Sequence, residues 1–286
     1  MAEIIDGKLV SASVRKQLAE ETAALRDKGI VPGLAVVMVG DDPASAIYVR
    51  NKEKACEEIG IYSEIHKLPE DTTENSLLDL LKSLNDDDRI DGVIVQLPLP
   101  SEISGDRVIN AISPDKDVDA FHPLNVGKIL IGNFSFLPCT PAGVMKLLEY
   151  YGIDVTGKEC VVIGRSNIVG KPQAALLMHK NGTVTVCHTK TKDLLSHTIK
   201  ADIIVVAVKK AGFLTGDMIK EGAVVIDVGI NRDENGKICG DVDFASAEKK
   251  ASFITPVPGG VGPMTVTMLM QNTVTAAKLH HGIIIQ

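Results

Sequence analysis

The sequence predicts an α/β chain of two domains, the larger part of it a doubly wound parallel sheet, and three observations carry that prediction. Short apolar runs alternate with helix-length segments, as in sheets whose strands are covered on both faces. One of these runs, Cys160–Ile163, meets Gly164 and then an apolar stretch, Ile168–His179, long enough for a helix, which reads as a buried strand turning sharply into a helix. With 286 residues, 45% of them apolar, the chain has length and core enough for two domains.

The turn from Val161 to Pro172 organises the rest. A helix starting there aims its free N–H groups and the positive end of its dipole at the crevice above the strand ends, where a pyrophosphate can sit. A dinucleotide fingerprint reads G-x-G-x-x-G, whereas Ser166 stands in place of the second glycine and Gly170 falls one position late. On this stretch alone an ordinary strand-to-helix turn is an equal reading. The next strand, Thr183–Cys187, ends where NAD-binding folds carry a carboxylate for the ribose 2′-hydroxyl. Here the chain reads His188-Thr-Lys-Thr-Lys192 instead, with Arg165 at the first turn. Cations and hydroxyls suit a 2′-phosphate, and hence NADP; the other reading of His188–Lys192 is a solvated loop. Strands at Ile203–Val208 and Val224–Val228 complete this domain.

Composition excludes several classes. A net charge of −7 leaves no basic face for a duplex, so nucleic acid is not an expected partner. Cys56, Cys139, Cys160, Cys187 and Cys239 are odd in number and never spaced C-x-x-C, which reads as reduced thiols of a cytoplasmic protein. The seven histidines include no H-E-x-x-H, and no metal is expected. Glu3 and Asp6 near the start, with no basic region before an apolar one, argue against a targeting peptide. No apolar run has the length of a membrane span, so no membrane is expected.

In the first half, helical spacing over Leu9–Lys28 precedes a buried strand, Leu34–Val39. Gly40-Asp-Asp-Pro43 caps a helix, Ala44–Ile59, on which Tyr48 and Lys52 are four apart and share a face. A strand at Tyr62–Leu68 and a helix at Thr73–Leu84, capped by Thr72 or Thr73, follow. Gly92–Gln96 is apolar until its last residue, so Gln96 sits at the carboxyl end of a buried strand, where open α/β sheets bind ligands. Pro114–Pro123 is a turn-prone connection in which Asp119, between Val118 and Ala120, is a partly buried carboxylate. Asn125–Thr140 is the passage to the second domain, entered by a helix at Thr140–Tyr150. Late in the chain, the glycine-rich loop Thr255–Thr265 leads into a helix, Val266–His280, expected to return to the first domain.

These stretches resemble the bifunctional methylenetetrahydrofolate dehydrogenase/cyclohydrolase family over nearly the whole chain. The resemblance rests on Tyr48-Val-Arg-Asn-Lys52, Val93-Ile-Val-Gln-Leu-Pro-Leu-Pro100, Lys116-Asp-Val-Asp119 with Phe121-His-Pro123, Pro138-Cys-Thr-Pro141, the Val161–Pro172 turn, and Pro258-Gly-Gly-Val-Gly-Pro-Met-Thr265. It implies a smaller α/β folate-binding, catalytic domain at 1–137, completed by a C-terminal helix at 263–286, and a Rossmann-like NADP domain at 138–262. The implied activities are NADP-dependent oxidation of 5,10-methylenetetrahydrofolate and hydrolysis of the methenyl product to 10-formyltetrahydrofolate. A homodimer acting on tetrahydrofolate derivatives is implied too. The implied catalytic residues are Lys52, Tyr48, Gln96 and Asp119. Cofactor contacts fall on Gly164, Arg165, Ser166, Thr189 and Ile230. Substrate contacts add Leu97, Pro258, Gly259 and Gly260 to the catalytic set. Two stretches depart from the family pattern. Ala120 stands where glycine is usual, and Lys209 and Ala211 replace a glycine and a proline at a strand end facing the cofactor.

For the hydrolysis, Lys52 is the candidate acid/base, which requires its pKa to fall by roughly 3 units from about 10.4. Gln96 can hydrogen-bond that lysine, and Asp119 offers two oxygens to the N–H edge of a pterin. Read without the family, Lys52 is a solvated helix lysine, Tyr48 a packing aromatic, Asp119 a turn carboxylate, and Gly259, Gly260 and Gly262 a hinge. Another NADP dehydrogenase, acting on an amino or keto acid, or a dinucleotide-sensing module would share the middle domain. Neither calls for Tyr48, Lys52 and Gln96 together.

Overall fold

The computed structural model describes residues 1–283. In chain order it runs β1 (Glu3–Ile4), α1 (Gly7–Arg26), β2 (Gly33–Val39), α2 (Pro43–Ile59), β3 (Tyr62–Leu68), α3 (Glu74–Asn85), β4 (Gly92–Val95), α4 (Gly105–Ala111), α5 (Pro123–Ile131) and α6 (Cys139–Tyr150). It continues with β5 (Glu159–Ile163), α7 (Gly170–His179), β6 (Thr183–Cys187), α8 (Leu194–Thr198), β7 (Ile203–Val206) and β8 (Val224–Asp227). A hairpin, β9 (Asn231–Arg232) with β10 (Ile238–Cys239), precedes α9 (Phe244–Ala247), β11 (Phe253–Ile254) and α10 (Val261–His280). The contacts group into two compact units, Met1–Ala12 with Thr140–Thr265 and Ser13–Cys139 with Val266–Gln286.

The second of these holds a parallel sheet in the order β3-β2-β4. Every residue of β2 and β4 is buried, which is why their sequences show no polar alternation, while β3 is half-exposed along its length. Leu77, Leu81 and Leu84, at helical spacing on α3, pack with Val37, Val93 and Val95 in one core cluster. Thr73 caps α3 by accepting from Ser76 N at 3.2 Å, so of the two threonines it is the cap.

The other unit holds six parallel strands among the described residues, in the order β1-β11-β8-β7-β5-β6. Its core gathers Val161, Ile163, Ile204, Val206, Val225 and Ile254 from the sheet. Each βα crossover between parallel strands accounts for the alternation seen in the sequence.

Several boundaries differ from expectation. Residues 1–12, expected in the first domain, group with the six-stranded unit because β1 pairs with β11, Glu3 opposite Phe253. Two residues of edge strand leave no periodicity to read. The stretch expected as a connection and passage contains α5, whose cap is His122: its Nδ1 accepts from Leu124 N at 3.1 Å, with Pro123 at the helix start. Histidine is not among the strong capping types, so the sequence signal is weak. Helix α10 begins at Val261, inside the expected loop, since Pro263 falls within its first turn, where a missing N–H costs no helical bond. Residues 284–286 of the expected C-terminal segment lie outside the described residues.

Candidate active site and cofactor-binding edge

In the three-stranded unit, helix α2 starts where Asp42 accepts from Ser45 N at 2.7 Å and Pro43 takes the first position. The start of the helix sets where Lys52, nine residues on, projects. Gln96 follows β4 directly, its backbone N–H donating to Val37 O at 2.8 Å, so the strand end is held in register up to that residue. Lys52 Nζ donates to Gln96 Oε1 at 2.8 Å, and Gln96 Nε2 donates to Leu97 O at 2.7 Å. With its nitrogen occupied by a carbonyl, the amide presents oxygen to the lysine. Tyr48 is 44% exposed, one turn earlier on the same helix, and Leu97 is exposed beside Gln96.

Asp119 lies on a loop fastened from beneath. Asp117 accepts from Phe121 N at 3.2 Å, His122 N at 2.8 Å and Asn125 Nδ2 at 2.8 Å, while Val93 N donates to Lys116 O at 2.7 Å. Lys116 itself is buried and donates to Leu84 O and Asp87 O. These bonds fix the backbone on both sides of Asp119. Burial pushes the Asp119 carboxyl up, against the nearby Lys52 charge, which pulls it down. Burial likewise pushes Lys52 below the usual lysine range, against the attraction of Asp119. The lysine therefore has a larger neutral fraction than a solvated lysine.

Sequence reasoning missed two members of this cluster. Cys139, the first residue of α6, places its thiol 3.6 Å from Asp119 Oδ1 and 3.6 Å from Val118 O. Asn272, on α10, donates to Val118 O at 2.7 Å and to Leu137 O at 2.8 Å, and lies 3.8 Å from the Cys139 sulfur. Burial holds the Cys139 thiol well above its ordinary value, so it is protonated and acts as a donor. A buried asparagine in the middle of a helix is the signal that could have pointed to Asn272, because its amide has to find partners.

In the six-stranded unit, the turn after β5 is shaped by close approach. A Cβ on Gly164, at φ 129°, would lie 2.4 Å from Ala207 O, and one on Gly170 would lie 2.2 Å from Gly164 O. Gly170, the glycine one position late in the fingerprint, is thus the residue on which α7 closes over the turn. Ser166 Oγ accepts from Val169 N at 3.2 Å and Gly170 N at 3.4 Å, taking over two amides of the helix start. Arg165, Ser166 and Thr189 are exposed at neighbouring strand ends, and Ile230, after β8, is 52% exposed. The turn after β6 is closed by His188 N donating to Thr191 Oγ1 at 2.8 Å and Lys190 N to His188 Nδ1 at 3.1 Å. That turn leaves the side chains of Thr189 and Lys190 outward, with no carboxylate among them. An exposed arginine, lysine and hydroxyls with no carboxylate beside them are chemically compatible with the phosphates of a dinucleotide. Pro258, Gly259 and Gly260 belong to this unit as well, Gly260 N donating to Pro256 O at 2.8 Å just before α10.

Residues 5–119 match the model of the tetrahydrofolate dehydrogenase/cyclohydrolase catalytic domain, and residues 138–281 match that of the same family's NAD(P)-binding domain. The chain belongs to this family. Among relatives of the tetrahydrofolate dehydrogenase/cyclohydrolase family, the bifunctional protein FolD of Acetivibrio thermocellus is 59% identical over 278 residues, 97% of this chain and 98% of that protein. A crystal structure of the bifunctional enzyme FolD, methylenetetrahydrofolate dehydrogenase/cyclohydrolase, from Campylobacter jejuni superposes with a TM-score of 0.96 at 54% identity, covering 98% of this chain and 99% of that one. The Trypanosoma brucei enzyme, solved with NADP cofactor and an inhibitor, gives a TM-score of 0.93 at 41% identity, covering 97% and 98%.

Membership gives the two departures a conformational meaning. Ala120 and Lys209 both lie in the left-handed region, at φ 58° and 56°. A glycine would adopt that region without strain, and this chain accepts the strain of a side chain at both.

Proposed function

We propose that the chain is a bifunctional one-carbon enzyme: it oxidises 5,10-methylenetetrahydrofolate to 5,10-methenyltetrahydrofolate with NADP, then hydrolyses that product to 10-formyltetrahydrofolate. The observation that carries the residue roles is the 2.8 Å contact of Lys52 with Gln96, beside a carboxylate at Asp119. Asp119 accepts from the N–H edge of the pterin and sets the orientation of the reacting carbon. Tyr48 and Leu97, exposed on either side of the Lys52–Gln96 pair in sequence, contact the folate ring system. Lys52 takes a proton from the water that attacks the amidinium carbon and returns one to the departing nitrogen. Gln96, being neutral, holds the amine in place without fixing its charge.

Gly164, Arg165, Ser166, Thr189 and Ile230 hold NADP along the strand ends of the six-stranded unit, with Arg165, Thr189 and Lys190 toward the 2′-phosphate. Bound NADP supplies the hydride acceptor, and the protein supplies alignment. The enzyme works as a cytoplasmic homodimer. Four buried free thiols support a reducing compartment, and exposed Met178, Val186, Leu195 and Ile199 on and near the edge strand β6 support a partner surface for a second copy.

The test is a purified-protein assay with methylenetetrahydrofolate, following reduced cofactor and the methenyl chromophore separately. Reduced NADP must form in step with folate oxidation, and added methenyltetrahydrofolate must be hydrolysed faster than in buffer. Absence of the first overturns the dehydrogenase reading; absence of the second overturns the cyclohydrolase reading.

A further inference from the structure

Three consecutive backbone amides after β7 converge on one carboxylate. Asp241, fully buried, accepts from Val208 N at 2.6 Å and Lys209 N at 3.1 Å through Oδ2, and from Lys210 N at 2.7 Å through Oδ1. Successive N–H groups turned to one side, with a left-handed residue among them, form the concave nest that binds anions. Lys209 is that left-handed residue, at φ 56°. In this chain the nest is filled from within.

Asp241 also reaches the loop after the next strand, accepting from Asn231 Nδ2 at 2.9 Å. Asn231 directly follows Ile230. Beneath it a second buried carboxylate, Asp227 at the end of β8, accepts from Gly229 N at 2.9 Å, Asp241 N at 3.0 Å and Val242 N at 2.9 Å. The fit is close: a Cβ on Gly229 would lie 2.2 Å from Asp241 Cγ. The β7 loop is in turn the neighbour of the phosphate turn, since Gly164 packs on Ala207 O, one residue before Val208.

We propose that Asp241 is a positioning residue for the dinucleotide: it locks the loops after β7 and β8 into one arrangement and thereby sets cofactor affinity without touching the cofactor. The inference rests on the reading that NADP binds along these strand ends. The buried carboxylate holds four donors from two loops, and the nearer of these, after β7, lies directly beside the turn after β5.

The experiment compares wild type and Asp241→Asn in full-length enzyme. An amide in that place puts an N–H donor where two N–H donors converge, so the nest opens. The KM and Kd for NADP should rise at least tenfold, while kcat at saturating NADP stays within about twofold. Hydrolysis of methenyltetrahydrofolate, which consumes no dinucleotide, should keep its kcat and its folate KM, a split that general loss of folding does not produce. Calorimetric NADP binding by Asp241→Asn at the wild-type Kd overturns the proposal alone. Wild type that fails to bind NADP overturns the cofactor reading and the proposal with it. If Asp241→Asn loses cyclohydrolase activity as well and so does not fold, Asn231→Ala decides: it removes one of the four bonds and should raise the NADP Kd by about threefold, and an unchanged Kd overturns the proposal.

Discussion

Lys52 and Gln96, 44 positions apart, meet in a 2.8 Å hydrogen bond whose direction is set by Leu97, because its carbonyl takes the amide nitrogen and leaves the oxygen for the ammonium. This bond favours the charged over the neutral lysine far less than a carboxylate would, so burial remains free to lower the pKa.

Replacement of Lys52 by Met keeps most of the aliphatic length and removes the titrating nitrogen. Cyclohydrolase turnover should fall by roughly 10² to 10⁴-fold, the range for a lost acid/base group, with dehydrogenase activity falling less and methenyltetrahydrofolate accumulating. Single-turnover rates of each half-reaction under saturating folate make the comparison. In wild type the neutral amine is the base, so cyclohydrolase rate should rise with pH through a lysine pKa displaced below its usual value. A Lys52→Met enzyme that hydrolyses at the wild-type rate assigns the water to another group.

Asp119→Ala should impair both reactions together, because each needs the pterin in the same orientation. Binding of NADP, measured by calorimetry in the absence of folate, should stay at the wild-type value. A variant that loses NADP affinity alone contradicts the role given to this carboxylate.

Cofactor choice should favour NADP over NAD by tenfold or more in kcat/KM. Charge-assisted contacts to a phosphate are worth roughly 1.5 to 3 kcal/mol each, and each 1.4 kcal/mol is about tenfold. Arg165→Ala should reduce the preference mainly through the KM for NADP. Equal kcat/KM for the two cofactors in wild type removes the 2′-phosphate assignment from Arg165, Thr189 and Lys190.

Ala120→Gly should leave stability within about 1 kcal/mol of wild type, because it relieves a left-handed φ and deletes a fully buried methyl. A left-handed φ costs an L-residue about 1 to 2 kcal/mol, against about 0.4 to 1 kcal/mol for the extra freedom of glycine in the unfolded chain. The loss of one buried methyl, about 0.8 kcal/mol, is of the same size as the remainder and cancels most of it. Urea denaturation of wild type and variant measures it, and a lower midpoint at equal slope shows that methyl packing outweighs the strain.

The elements legible from sequence were those whose signal is local. β2 and β4 were visible as unbroken apolar runs, and α2 by Asp42, Pro43 and the glycine that closes it. The strand-to-helix turn after β5 was legible even with its fingerprint broken. What made it legible, a strand meeting a glycine and then a helix, survives the exchange of one glycine for serine. The capped helix α5 was not legible, because a histidine cap and an internal glycine imitate a loop.

The sequence by itself determined the fold class, the strand-to-helix turn after β5 and the family, and named Lys52, Gln96 and Asp119 as side chains of interest. These follow from strand and helix periods and from short motifs, which depend on neighbours a few residues away. Only the tertiary structure decided that Lys52 and Gln96 bond, that Cys139 and Asn272 close around Asp119, and that Asp241 gathers the amides of two loops. Those contacts join residues from 10 to 154 positions apart. Hydrogen bonds at such separations exist only once packing has brought the partners within about 3 Å and removed the water that would otherwise satisfy them.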